Sequence, residues 1–109
     1  MTETPSAHSH TFHIPSDHPA LTDHFPGAPL VPGALILEET LRGARYLHHE
    51  GNATLHVASI KFTSALPPGQ DARVIYQQGT TKVRFEAFSM DQLIASGLII
   101  VAEKEPAAT

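Results

Sequence analysis

The strongest periodicity in the chain lies between Ala34 and His48, a stretch without proline in which helix formers dominate. Ala34, Leu37, Leu41, Ala44 and His48 recur at helical spacing, and Leu35, Ile36 and Leu47 widen the apolar surface. This predicts a helix over 34–48, largely buried in its first two turns. Gly43 lies inside it, a cost unless another element approaches closely there. Gly51-Asn52 supplies the stop. Beyond it the period changes from 3.6 to 2. Leu55, Val57 and Ser59 alternate with His56 and Ala58, and the apolar positions run on to Ile60 and Phe62. Pro67-Pro68-Gly69-Gln70, Gly79-Thr80-Thr81 and Met90-Asp91-Gln92 read as turns, which bracket strands over 72–77, 82–88 and 93–102. The 82–88 strand alternates most cleanly, with Val83, Phe85 and Ala87 on one face and Lys82, Arg84 and Glu86 on the other.

Upstream of the helix, Phe12 to Ile14 reads as a short first strand, and 1–11 as a flexible lead. Between them and the helix stand five prolines: Pro15, Pro19, Pro26, Pro29 and Pro32. Each fixes its own φ and steers its predecessor away from helix, so the segment reads as an extended, ordered loop. Loops of that length in small domains are often functional. The order is therefore short strand, long loop, one long helix and a meander of about four strands. That is an α+β pattern in which one helix lies on one antiparallel sheet, in a single domain over 12–105.

Composition narrows the function. The chain has 109 residues, with seven Lys and Arg against eleven Asp and Glu, for a formal net charge of −4. An acidic balance argues against nucleic acid as the main partner. The absence of cysteine excludes disulfides, Cys-ligated zinc and a Cys nucleophile. The N-terminal residues are polar and do not read as a signal peptide. The longest apolar run, Leu98 to Ala102, is too short to cross a bilayer. A cytoplasmic protein without membrane association is the expectation.

The segment with chemical content runs from His18 to Glu39. It places His24 in the proline-fixed loop, Gly33 at the helix start and Glu38 about one turn into the helix. The first N–H groups of a helix, at the positive end of its dipole, favour an anion or a developing oxyanion. A base, an acid and an oxyanion donor together suffice to remove a proton beside a carbonyl and expel a neighbouring hydroxyl. The same residues also fit a structural account: a hydrogen-bonded loop histidine and a surface glutamate favouring the helix dipole. Glu39 fits the latter description at least as well as Glu38. His8, His10, His13 and His18 have no ligand-helix spacing, so no metal site is expected.

The run His24-Phe25-Pro26-Gly27-x-Pro29-x-x-Pro32-Gly33, followed by Glu38, resembles the active-site motif of the 3-hydroxyacyl-[acyl-carrier-protein] dehydratases of bacterial fatty acid biosynthesis. Those proteins have the hotdog fold, a long central helix wrapped by an antiparallel sheet. The resemblance implies a lyase that needs no cofactor. Its roles would be His24 as base, Glu38 as acid held protonated in a dry pocket, the Gly33 amide as oxyanion donor, and Phe25, Pro32 and Leu35 along the substrate tunnel. It also implies acyl carrier protein as partner, delivering a pantetheine-linked chain, and a homodimer whose subunits share each site. Higher or hetero-oligomers are further options. The chain is shorter than such enzymes usually are, and Ala28 stands where histidine is common. Both departures point to a specialised relative, serving aryl-polyene, polyene or polyketide-type synthesis. Two other functions fit the same fold: an acyl-thioester hydrolase, and a non-catalytic subunit that binds carrier protein. Arg42, Arg45, Lys61, Arg73, Lys82 and Arg84 are candidates for carrier docking, or a plain solvated face.

Overall fold

In the computed structural model, which describes residues 7–21, 30–47 and 53–103, the alternation of the 82–88 segment is reproduced side chain by side chain. Val83, Phe85, Ala87 and Ser89 are buried and Lys82, Arg84 and Glu86 exposed. Five strands form one antiparallel sheet: β1 (Ala7–His13), β2 (Ala53–Phe62), β3 (Asp71–Gln78), β4 (Lys82–Ser89) and β5 (Gln92–Glu103), in the order β1-β3-β4-β5-β2. α1 (Gly33–Leu47) comes between β1 and β2 in the chain and lies nearest β1 and β3. It is the only α-helix among the described residues. Phe12, Val74, Tyr76, Val83, Phe85 and Ile99 are central to the core between helix and sheet. Among the described residues no helix is long and apolar enough to cross a membrane.

Three expectations need correction. The first strand begins at Ala7, not Phe12, so residues 7–11, expected in the flexible lead, form part of the sheet. Its pairing runs from Ala7 opposite Gln77 to His13 opposite Asp71. The polar sequence hides this strand because as an edge strand it buries few side chains, among them Phe12.

The buried line of α1 is also not the expected one. Ile36, Thr40 and Ala44 are buried, whereas Leu35, Leu37 and Leu41 are half-buried and Ala34 is exposed. Thr40 tolerates burial because its hydroxyl donates to the Ile36 carbonyl (2.8 Å), while its own carbonyl accepts from the Tyr76 hydroxyl (2.6 Å). His48, placed in the helix by periodicity, lies outside the described residues. Gly43 has the close neighbours its position called for. A Cβ there would stand 2.6 Å from the Cβ of His10 and would also collide with the Tyr76 hydroxyl. The missing side chain lets β1 and β3 approach the helix.

The third correction concerns β2, where simple alternation cannot put both Val57 and Ile60 on the inner face. The register against β5 shifts between Val57 and Ser59, a β-bulge around Ala58. One extra residue reverses the parity of everything after it. Leu55 and Ile60 can thus both pack against the core. At the β4–β5 hairpin, Met90 (φ 50°) and Asp91 (φ 63°) both adopt left-handed backbone, the geometry of a tight two-residue turn.

Candidate active site

Helix α1 starts where the sequence places it. Pro32 precedes it, and its carbonyl accepts from the amides of Leu35 (3.0 Å) and Ile36 (3.4 Å). Proline is suited to this boundary, having no N–H to leave unpaired. The approach is tied to the sheet's connecting loop, since the Val31 amide donates to the Leu66 carbonyl at 2.9 Å. Val31 and Leu66 are both buried. Gly33 is thereby held at the helix N-terminus, where amides lack intrahelical acceptors.

A cavity of about 510 Å³ opens beside it, lined by Val31, Gly33, Ile36, Phe62 and Leu66, together with residues 63–65. The Phe62 ring closes over Gly33: a Cβ at position 33 would stand 2.8 Å from its Cζ atom. A side chain at position 33 would displace this ring. Phe62 is 47% exposed. Sequence reasoning placed it in a strand and missed its position at the helix start. Its contact with Gly33 spans 29 residues of chain and follows the bulge, so periodicity carries no signal for it.

Of the remaining predicted residues, Leu35 is half-buried against the core and Pro32 is half-buried at the helix start. Neither His24 nor Phe25 falls within the described residues. Glu38 does, and its surroundings differ from the dry pocket expected for it. Its side chain is 59% exposed and its Oε1 lies 3.5 Å from Arg42 Nη2. Five residues after Gly33, it projects roughly 140° around the helix axis. It is not among the residues that line the cavity.

The half-buried carboxylate of this helix is Glu39. It is 16% exposed and takes a 3.0 Å hydrogen bond from Nε2 of His10, itself 17% exposed. Glu39 therefore turns toward β1 and is not the solvated surface residue that sequence suggested. Tyr76 also responds to it. Burial first, and then the Glu39 carboxylate, push the Tyr76 hydroxyl well above the ordinary tyrosine range. His13 pairs separately with Asp71 at 2.8 Å. His10 and His13 of β1 thus each hold a different carboxylate. Among the described residues no three metal-ligating side chains converge.

One long helix against a five-stranded antiparallel sheet is the hotdog fold, and solved hotdog proteins match it over most of the chain. One is a chain of the dehydratase heterocomplex ApeI:P from Xenorhabdus doucetiae, with a TM-score of 0.75 and 18% identity, covering 94% of this chain and 93% of that one. Another is the fluoroacetyl-CoA thioesterase FlK, with a TM-score of 0.63 and 16% identity over 94% of this chain and 90% of that one. Such identities establish the fold and no more. Sequence goes further: residues 1–98 match the family described as "ApeI-like: ApeI dehydratase", and the chain belongs to that family. It is also 30% identical over 99 residues to the 3-hydroxyacyl-[acyl-carrier-protein] dehydratase FabZ of Legionella pneumophila. That match takes in 77% of this chain and 66% of FabZ, so the chain spans just under two thirds of that relative.

Proposed function

We propose that the chain dehydrates 3-hydroxyacyl thioesters carried on acyl carrier protein to trans-2-enoyl thioesters. The observation that carries this reading is Gly33 at the helix N-terminus, lining a cavity of about 510 Å³, within a dehydratase-family chain. The thioester oxygen accepts a hydrogen bond from the Gly33 amide, which steadies negative charge as it develops. His24 removes a proton from C2. Glu38 gives a proton to the C3 hydroxyl, which departs as water, and the C2–C3 double bond forms. The thioester itself acidifies C2, so the residues supply the whole acid–base cycle.

The exposure of Glu38 bears on assembly. An acid catalyst works best away from bulk water, and one chain alone leaves this side chain open. A second subunit lying over this outward face of the helix would cover it. It would also bring its own proline-rich loop to the site. The similarity to a chain from a heterocomplex supports an unlike partner as the alternative to a second copy.

The test follows enoyl absorbance and thiol release from 3-hydroxyacyl thioesters. Dehydration without thiol release is expected, with losses of about a hundredfold or more in His24→Ala and in Glu38→Gln. The double variant should be little worse than the poorer single one, since groups acting on one transition state are not additive. Thiol release without enoyl formation would mean a hydrolase. A wild-type chain inactive alone but active with an added partner would mean a subunit of a hetero-oligomer. Full activity in His24→Ala would end the dehydratase reading.

A further inference from the structure

Arg42 of α1 takes no part in the proposed acid–base cycle, yet its two terminal nitrogens point to different carboxylates. Nη2 lies 3.5 Å from Oε1 of Glu38, and Nη1 lies 3.7 Å from Oε2 of Glu39. Glu39 is fixed from its other side by the 3.0 Å contact of its Oε1 with His10 of β1. The four side chains form one line, His10–Glu39–Arg42–Glu38, from a half-buried end against the sheet to an exposed end on the helix. The close approach of β1 to Gly43 puts His10 at the helix surface. His10 is also braced by the rings of Phe12 (6.4 Å) and Tyr46 (6.1 Å).

We propose that Arg42 is a positioning residue for Glu38, with its guanidinium divided between Glu38 and a Glu39 anchored by His10. This rests on the reading of Glu38 as the proton donor. Arg42→Met would release the Glu38 carboxylate from this contact, and Glu39→Gln would weaken the anchor on the other side of the guanidinium. The groups facing this line are Arg42, Glu38 and Glu39 of the helix, His10 of β1, and Tyr76 of β3, whose proton is held by burial. Tyr46 adds a ring against His10. Both ends of the Arg42–Glu38 contact are more than half exposed, so solvent screens it and the effects are modest.

The experiment measures kcat and KM separately for dehydration of a 3-hydroxyacyl thioester, in the full-length protein, for Arg42→Met, Arg42→Lys, Glu39→Gln and Glu38→Gln. A positioning role lowers kcat several-fold in Arg42→Met with KM little changed, and Arg42→Lys recovers most of the loss because the charge next to Glu38 is kept. A merely structural contact would instead lower the melting temperature without a kcat-specific loss. Glu39→Gln keeps a hydrogen-bonding group opposite His10, lowers kcat more mildly by loosening the guanidinium, and carries the test alone if Arg42→Met does not fold. An unchanged kcat in both Arg42→Met and Glu39→Gln, or no recovery in Arg42→Lys, overturns the proposal when Glu38→Gln is inactive. Full activity in Glu38→Gln instead overturns the assignment of Glu38 on which the proposal rests.

Discussion

Two neighbouring glutamates on one helix turn have different fates here, and the difference is set by about 100° of rotation per residue. Glu39 faces β1 and is captured by His10; Glu38 faces outward and is met only by Arg42 among the described residues. Tyr76 shows the same sensitivity to neighbours. It is buried, donates to the Thr40 carbonyl at 2.6 Å, and its proton is held by that burial and by Glu39. Tyr76→Phe should cost about 1 kcal/mol at neutral pH, the net worth of a hydrogen bond in water. The folded protein holds this proton more tightly than the unfolded chain. The resulting stability is full below the ordinary tyrosine pKa of about 10 and is lost progressively above it. Urea unfolding at pH 7 and again above pH 10 should show a smaller alkaline loss in Tyr76→Phe than in the parent. Equal alkaline losses would show that Tyr76 is not the group that responds.

Among the elements, β4 and β5 are the most plainly written in the sequence, because β4 alternates between core and solvent and β5 is apolar along most of its length. Their hairpin is joined by Met90 and Asp91 in left-handed backbone, a conformation that costs an ordinary L-residue roughly 1 kcal/mol. Asn-Gly is the preferred pair for that geometry. Replacing Met90-Asp91 with Asn-Gly should raise the melting temperature by a few degrees in a domain of this size, and leave activity unchanged. A lower melting temperature would show that Met90, 78% exposed, makes a contact that offsets the strain. β1 and β2 were harder to read. One is an edge strand with few buried positions, and the other carries a bulge that breaks its period.

For the whole molecule, the question is what covers the site. Strand β2 is the last in the sheet order and has no described partner on its outer side. A small core gains from association, and a free strand edge offers a pairing surface. Light scattering should give at least twice the mass of the 109-residue chain at every concentration that supports full activity. A monomer that retains full activity would contradict the shared site proposed above.

The helix with its glycine start, the clean β4 alternation and the turns were all legible from residue types and spacing. Each is a local property: periodicity, φ restriction and the unpaired amides of a helix start act within a few residues. The closure of Phe62 over Gly33, the capture of Glu39 by His10 and the division of Arg42 between two carboxylates were decided only by the tertiary structure. The first two join residues 29 positions apart. They depend on a bulge and on the width left by a missing Cβ at Gly43. The third is a pattern of helical neighbours, but which carboxylate is buried depends on where β1 lies. A sequence can place two carboxylates next to each other; only the packing of a strand against one of them makes them chemically different.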